Sequence, residues 1–366
     1  MAVSNPTRTT AWARLFLLLS KLSISARAAR STEDPLTLTE KTQVSSIAEA
    51  CATYTGRLEI ASLTGYVNLT GIEEISGELA FDNSLANNGH VTIYSSTLKN
   101  ISDGLVVYGP SEDNSPSWWL NMWLQALQST YSISVYEVWV SVKLNTAPGL
   151  NVTSSYIVHG DDKMQASNLY VNASYVGFLQ VTDINFLKGS YLTSSVDRVW
   201  HAGVTDNQGL KQLLLKRLKH AEFSIKIFSN PDLDYTSMSV AKAGFVRIEN
   251  NGRDALVPLP ELELLGNRDH EDTDGIFRDL IDVSLPKLDQ VSTFGKLNLT
   301  SNLLSELYLP RLETANCTLG IDDSVALNDL WLSRLNYVKD LEIPANPRLR
   351  IMTANLLKMA DKINLT

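Results

Sequence analysis

The histidines are the side chains in this sequence best suited to acid–base chemistry, and they are widely spaced. None of them has a nucleophile motif such as Gly-x-Ser-x-Gly nearby. A histidine without such a partner is usually solvated or structural, and we interpret all five in that way: His90, His159, His201, His220 and His270.

Carboxylates could instead cleave sugars, a chemistry often found on parallel β-helices, if two of them converged on one place. Four regularly spaced strands, described below, have the outward middle positions Asn298, Gly320, Glu342 and Asn364, and Asn68 is the equivalent near the start. One acid among amides and a glycine makes a poor catalytic pair. We therefore predict no catalytic residue and a protein that is not an enzyme.

The acidic loop 267–275 is the strongest candidate for a metal site. Asp272, Asp274 and Gly275 fit part of the EF-hand calcium pattern, but position one is His270 and position twelve is Ile281. Without a closing bidentate glutamate, the segment is better interpreted as a solvated acidic loop. We predict no metal and no cofactor.

Three tryptophans, Trp118, Trp119 and Trp123, stand together in the segment SWWLNMWLQAL. Exposed indole rings could stack on sugar rings, whereas buried rings would fill a junction between repeats. Because apolar residues interleave with the tryptophans, we favour core packing. Glycan stacking by Trp118 and Trp119 remains a hypothesis.

The two cysteines, Cys51 and Cys317, lie near opposite ends of the chain. In a repeat of about 22 residues, described below, their separation is about twelve coils, or roughly 55 Å at the spacing of parallel strands. A disulfide requires Cα atoms within about 7 Å. We therefore predict that the cysteines do not pair, and that Cys317, which shares strand parity with Leu319 and Ile321, is a buried thiol.

Asn-x-Ser/Thr sequons occur along the whole chain and mark candidate N-glycosylation sites. The candidates are Asn68, Asn100, Asn151, Asn172, Asn298, Asn316 and Asn364.

Short strands that recur at a constant interval must position these side chains. The segments KLNLT, TLGID, DLEIP and KINLT begin their apolar alternation at Leu297, Leu319, Leu341 and Ile363, which are evenly spaced. A constant interval of about 22 residues is typical of a solenoid. We expect these four residues on adjacent rungs, pointing inward, because alternate residues of a strand share a face.

A second phrase, Leu-(Pro)-x-Leu, interleaves with the first, as in Leu285–Leu288 and Leu309–Leu312, and predicts another short strand in each coil. Glycines such as Gly56 and Gly65 precede short apolar triplets near the start and predict corners between strands.

The segment 209–223 fits the repeat frame and a basic amphipathic helix equally well.

Asparagine recurs three residues before a leucine at Asn207, Asn230 and Asn346. Stacked asparagines at a solenoid corner can bond backbone groups that the turn leaves without a partner. Three unrelated Asx-turns explain the same spacing, and both interpretations stay open.

The composition fits a folded chain of 366 residues, since 44% are hydrophobic and 19% are charged. The net charge is −9 and no basic block follows residue 30, which argues against nucleic-acid binding. After residue 30 no apolar run reaches the roughly 18 to 20 residues that span a bilayer.

The N-terminal segment 1–30 carries arginines, a short apolar run at 15–19 and no acid. These features resemble a secretory signal, and an arginine-rich mitochondrial transit peptide is the alternative. We expect secretion to the cell surface or cell wall.

The sequence resembles the fungal GPI-anchored cell-wall organisation proteins, which are built from receptor-L-domain repeats. The resemblance rests on Cys51-x4-Gly56-x-Leu-x-Ile, on the run GYVNLTGIEEISGEL and on the Leu-Pro-x-Leu units, and it spans about residues 45–366. Two departures are the lack of a cysteine before Cys51 and the lack of a serine-rich stalk with an apolar tail. We expect a membrane link only through a GPI anchor that is not encoded in these 366 residues.

The resemblance implies a β-rich fold, a right-handed β-solenoid of leucine-rich-repeat-like receptor-L-domain arrays with a short helical N-terminal cap. We predict a signal peptide at 1–30, the cap at 31–55, a first array at 56–190 and a second, truncated or open-ended array at 191–366. It also implies a non-enzymatic glycoprotein that supports wall organisation as a scaffold or ligand-binding solenoid, with wall polysaccharide or wall proteins as partners. The alternatives are a polysaccharide-active β-helix enzyme and a leucine-rich-repeat-type protein-interaction module.

Overall fold

The evenly spaced strands of the C-terminal part lie side by side in one parallel sheet. Leu297 pairs with Leu319, Leu319 with Leu341, and Leu341 with Ile363. The first three side chains are fully buried, whereas Ile363, on the last rung, is 52% exposed. The chain is therefore a β-rich parallel solenoid, as the spacing predicted.

The structure is a computed structural model. It describes residues 35–365 except 62, 83–88, 110–117, 137–140, 148, 161–164, 167, 253–254, 267–274, 279, 281, 293–295 and 301.

One helix and 34 strands make up this part of the chain. Helix α1 is Lys41–Ala50, and the strands are β1 (Leu36–Leu38), β2 (Thr53–Thr55), β3 (Leu58–Ala61), β4 (Gly65–Asn68), β5 (Glu74–Ser76), β6 (Glu78–Asp82), β7 (Gly89–Ser95), β8 (Asn100–Ile101), β9 (Gly104–Tyr108), β10 (Trp118–Leu124), β11 (Ser129–Tyr136), β12 (Ser141–Thr146), β13 (Asn151–His159), β14 (Gln165–Ala166), β15 (Leu169–Val171), β16 (Tyr175–Thr182), β17 (Asn185–Ser194), β18 (Arg198–Thr205), β19 (Gln208–Leu215), β20 (His220–Phe228), β21 (Tyr235–Met238), β22 (Lys242–Glu249), β23 (Leu256–Pro258), β24 (Leu264–Leu265), β25 (Gly275–Arg278), β26 (Asp282–Ser284), β27 (Gln290–Val291), β28 (Lys296–Thr300), β29 (Glu306–Tyr308), β30 (Thr314–Asp322), β31 (Asp329–Trp331), β32 (Tyr337–Glu342), β33 (Ile351–Thr353) and β34 (Met359–Asn364).

Four parallel sheets form the walls of the solenoid. The main sheet has 20 strands and runs from β1 to β34. The other wall is divided among a first side sheet (β4, β7, β10, β12), a second side sheet of seven strands (from β14 to β26) and a third side sheet (β29, β31, β33). The main sheet continues past residue 190, where the sequence predicts the boundary between two arrays, and that boundary stays a prediction.

The core is one continuous column of aliphatic side chains between the walls. Register in the main sheet places Val135, Val158, Val181, Val204 and Ile227 on successive rungs, and each of them is almost fully buried. Each coil therefore buries its apolar residues against the coils before and after it. Cys317 is also fully buried, as predicted, and Cys51 lies at the far end of the solenoid beside α1.

The predicted N-terminal cap contains helix α1, which buries Val44, Ile47 and Ala48. Strand β1 precedes the helix and already pairs with β3, Leu36 opposite Leu58. The main sheet therefore begins inside the region that the sequence assigns to the cap. The segment 209–223 follows the repeat frame, since it contains β19, a turn and the start of β20.

The Leu-(Pro)-x-Leu phrase is a turn, and its prediction as a strand was wrong. Both leucines of each unit are buried, and in three units the amide of the second donates to the carbonyl of the first: Leu262 to Leu259 at 3.2 Å, Leu288 to Leu285 at 3.3 Å and Leu335 to Leu332 at 3.1 Å. Leucines three residues apart would point to opposite faces of a strand, whereas the two ends of a four-residue turn can both point inward. The strands of this wall lie just before the turns, in β23, β26, β29 and β31.

Asparagines form a buried ladder at one corner, so the stacked interpretation is confirmed for Asn207 and Asn230. The Asn207 Nδ2 donates to Asn230 Oδ1 at 3.0 Å, and the Asn230 Nδ2 donates to Asn251 Oδ1 at 2.9 Å. Asn302 and Asn346 bond backbone groups of neighbouring coils in the same way. Asn251 and Asn302 were not predicted.

Candidate functional site

A line of bulges crosses the outer surface of the main sheet. Pairing register shifts at Val152/Ser155 between β13 and β16, at Val199/His201 between β18 and β20, and at Ala221/Ser224 between β20 and β22. A bulge bends its strand and redirects the extra side chain. Phe223 lies in the two-residue bulge of β20, and Trp200 is the β18 residue that faces this bulge.

Trp200 and Phe223 form a stacked aromatic pair that faces solvent. Their ring centroids are 6.1 Å apart with an interplanar angle of 8°, and Trp200 is 38% exposed. Three further aromatic residues flank the pair on the same surface, and together they define what we call the aromatic face: Tyr131, Phe178, Trp200, Phe223 and Phe245. Tyr131 and Phe178 are about half exposed.

A glycine occupies the facing strand position on one side of the two-residue bulges in β13 and β20. A Cβ on Gly244 would lie 2.5 Å from the Phe223 carbonyl oxygen and 2.8 Å from that of Glu222. A Cβ on Gly177 would lie 2.3 Å from the Ser154 carbonyl oxygen. The aromatic pair is therefore a ridge with side-chain-free backbone on both sides.

A cleft of about 300 Å³, which we call the charged groove, opens on the Gly244 side of this ridge. Its floor includes Gly244 and Gly266, and its polar walls are Arg198, His220, Glu222 and Lys242. The Arg198 Nε lies 3.7 Å from Glu222 Oε1, and Lys242 is exposed. Elsewhere on the surface, the Lys226 Nζ lies 5.9 Å from the centroid of the Phe245 ring.

His201 and Ser224 form a hydrogen-bonded pair under the aromatic face, between the His201 Nδ1 and the Ser224 Oγ. Burial, and to a smaller degree the nearby Lys226 charge, lowers the pKa of His201 to about 4, so its imidazole is neutral at neutral pH. The Ser224 residue has no exposed surface, and a serine nucleophile must reach its substrate. We interpret this pair as structural.

The acid predicted to stand alone on the main sheet, Glu342, has Gly320 and Asn364 as its register neighbours. Its carboxylate lies 3.0 Å from the Lys296 Nζ, and this hydrogen bond together with the charge of Lys362 lowers the pKa of Glu342. A general acid needs the opposite shift. Of the other histidines, His220 lies in the charged groove and His159 is 3.4 Å from Asp183, while His270 is outside the described residues.

The tryptophan segment differs from the prediction of core packing. Trp123 is 37% exposed on β10, where its register partner is Tyr94, whereas Leu120 and Met122 are fully buried. Strand alternation places the tryptophan outward although its neighbours are core residues. The side chains of Trp118 and Trp119 are outside the described part of the chain, so stacking by these two residues stays a hypothesis.

The sequons are distributed unevenly over the solenoid. The main sheet carries Asn100, Asn151, Asn298, Asn316 and Asn364, while Asn68 lies on the first side sheet and Asn172 at a corner after β15. No sequon falls on the main-sheet strands between β13 and β28. The charged groove and most of the aromatic face lie on this sequon-free stretch.

We expect Asn172 to have the lowest glycan occupancy among the sequons whose asparagine is exposed or half-exposed. Its Nδ2 donates to the Thr146 carbonyl at 3.2 Å, and its Oδ1 accepts from the Ser195 hydroxyl at 2.9 Å. A glycan on Nδ2 would compete with the first bond and crowd the corner. We expect glycopeptide mass spectrometry of chain secreted by a eukaryotic host to find lower occupancy at Asn172 than at the exposed Asn151 and Asn316. Full occupancy at Asn172 would contradict this prediction.

The loop predicted as a metal candidate, 267–275, lies outside the described residues except for Gly275. In the described part of the chain no group of three or more His, Cys, Asp or Glu side chains is placed to hold a metal ion. Over the same residues, no helix has the length and apolar character needed to cross a membrane.

Comparison with family models, with curated proteins and with solved structures finds no match to this chain. The functional assignment therefore rests on the fold and on this surface.

Sequence reasoning missed Trp200, Phe223, Arg198 and Lys242. Each is an outward residue of a strand whose inward neighbours are buried, so strand parity in β18, β20 and β22 was the available signal. The bulges disturb that parity, since Trp200 and Phe223 are one position further apart than equivalent residues of the last four coils.

Proposed function

We propose that this chain is a non-enzymatic, secreted cell-surface glycoprotein that contributes to fungal cell-wall organisation by binding a wall polysaccharide on its aromatic face. The observation that carries the proposal is the exposed, parallel Trp200–Phe223 pair on a stretch of main sheet without sequons. Flat aromatic rings that combine an apolar face with polar neighbours are suited to sugar rings.

The geometry of the solenoid supports an extended ligand. Rungs of a parallel sheet repeat at about 4.8 Å, so the part of the aromatic face on β16, β18, β20 and β22 offers a track of similar positions across four neighbouring rungs. Glycans on Asn151 and on Asn298 would stand at the two ends of the sequon-free stretch and leave it open.

The biological setting of the proposal comes from the sequence. The likeness to GPI-anchored wall-organisation proteins with receptor-L-domain arrays, the signal-like N-terminus and the sequons support a secreted wall protein. Mitochondrial targeting by the arginine-rich N-terminus is the alternative location. A membrane link through a GPI anchor belongs to the family resemblance.

The function is tested by binding of the full-length glycoprotein to insoluble wall glucan. We expect Trp200→Ala to weaken binding at least about tenfold, because a central aromatic residue of a binding surface commonly contributes about 2 kcal/mol. Tyr308→Ala is the matched control, since Tyr308 is 57% exposed on the third side sheet, away from the aromatic face. Equal binding by both variants would refute the proposal.

The other two functions make different predictions in the same assay. A polysaccharide-active enzyme would release soluble sugar from the glucan, whereas a protein-interaction module would bind no glucan and would retain a wall protein. The paired acids on the main sheet lie beside basic side chains, such as Glu59 and Glu78 beside Arg57 and Glu249 beside Arg247 and Arg278. This arrangement favours structural carboxylates over a catalytic pair.

A further inference from the structure

We propose that the charged groove binds the carboxylate of a uronic acid unit, so that the polysaccharide recognised by the aromatic face is an acidic one. This inference rests on the proposed function and names the chemical class of its ligand. It draws on the charge of the groove, on its shape and on the position of the aromatic pair.

The charge of the groove is opposite to that of the chain. Arg198 and Lys242 contribute two positive charges and Glu222 one negative charge, so these three side chains give the groove a net charge of about +1. The whole chain carries −9. A positive site on an acidic protein attracts an anionic group that the rest of the surface repels.

The net charge also favours a carboxylate over a phosphate. A sugar phosphate carries about −1.5 to −2 at pH 7, and the Glu222 carboxylate inside the groove would repel the second charge. A uronate carries a single charge, and its planar carboxylate suits the fork of an arginine side chain. Arg198 can turn from Glu222 to such a ligand because their contact at 3.7 Å is long and exposed.

The shape of the groove fits a sugar ring. Glycine and alanine make much of its floor, at Ala221, Ala243, Gly244 and Gly266, so a flat ligand can approach the backbone closely. The floor covers the rungs β20, β22 and β24, a length of about 10 Å at the spacing of parallel strands, which accommodates one or two sugar rings. The Trp200–Phe223 ridge lies on β18 and β20, beside Glu222 and Gly244 of the groove, so the next sugar of the chain can stack there.

Calorimetric titration of the full-length glycoprotein with three soluble probes tests the inference. The probes are an oligogalacturonate, a neutral β-glucan oligosaccharide of equal length and a mannose 6-phosphate oligosaccharide. We expect the oligogalacturonate to bind at least about tenfold more tightly than either of the others, with an affinity that falls as salt is raised. Tighter binding of the phosphorylated sugar would overturn the assignment to a carboxylate.

Two lysine variants separate the groove from general surface charge. Lys242→Gln should lower the affinity for the oligogalacturonate about tenfold and so remove its preference over the neutral glucan. Lys339→Gln, which alters an exposed lysine of β32 outside the groove, should change neither affinity. Both variants should melt at the wild-type temperature, because each replaces an exposed side chain.

The outcomes distinguish this inference from the proposed function. If the neutral glucan binds as tightly as the oligogalacturonate and Trp200→Ala still abolishes binding, the function stands and the acidic ligand is refuted. If no saccharide binds the wild-type protein, both are refuted. Binding of an acidic peptide in place of every saccharide would also refute both, in favour of a protein-interaction surface.

Discussion

We expect the Asn230→Ala variant to lose about 3 kcal/mol or more of its free energy of unfolding. The Asn230 Nδ2 donates to the Val204 carbonyl and to Asn251 Oδ1, both at 2.9 Å, and its Oδ1 accepts from the Asn207 backbone amide at 3.2 Å. Alanine leaves a buried backbone amide and a buried carbonyl without these bonds. Each such group costs about 1–3 kcal/mol.

Urea unfolding followed by circular dichroism measures this loss. Asn121→Ala is the control, because Asn121 lies on the outer surface of the first side sheet and its replacement should cost within about 0.5 kcal/mol. The double variant Asn207→Ala with Asn230→Ala should lose less than the sum of the two single variants, since they share the same bonds. If Asn230→Ala is as stable as the control, the ladder does not stabilise the solenoid.

The second large effect is expected at Gly244. This glycine does not have a positive φ, so the cost of a side chain there is a steric one. The added Cβ would meet two backbone carbonyl oxygens, at 2.5 and 2.8 Å, which can move only with strand β20. We expect Gly244→Ala to lower the free energy of unfolding by about 2 kcal/mol or more, as overpacking does in a filled interior.

Gly320→Ala is the matched control for this substitution. Gly320 is on the same sheet, but the nearest atom to its added Cβ, at 2.6 Å, is Cε of the flexible Lys296 side chain. That side chain can move away, so the control should cost less than about 1 kcal/mol. Equal thermal stability of Gly244→Ala and the wild-type protein would show that the bulge in β20 tolerates a side chain opposite it.

The main sheet could be predicted from the sequence because its apolar residues recur at a constant spacing, and that spacing sets the register between strands. Leu319 and Leu341 can lie on adjacent rungs only if each coil has one length, and the same length recurs without exception in the last four coils. The inward side chain of Cys317 followed from the same alternation. The helical cap was predictable from its apolar spacing, since Val44, Ile47 and Ala48 share one face.

The turns and the site were harder to predict, for physical reasons. Leu259 and Leu262 are three residues apart, so a strand would point them to opposite faces, whereas a turn buries both. The prediction of a strand at this phrase overlooked that parity. Asn251 and Asn302 are not followed by a leucine three residues later, as Asn207 and Asn230 are, because the corner requires only the amide side chain. The aromatic pair depends on bulges, which spacing alone does not reveal.

Each coil contacts only the coils before and after it. This limits which insertions and deletions the chain can accept during evolution. Loss or duplication of a complete turn leaves every remaining neighbour with an equivalent surface to pack on, whereas loss of half a turn would put every downstream strand out of line with its partner in the main sheet. Length variation in whole units should therefore be tolerated at most points along the molecule. Between β18 and β24 the same event would separate Trp200 from Lys242, so selection for the ligand would hold that stretch at a fixed length.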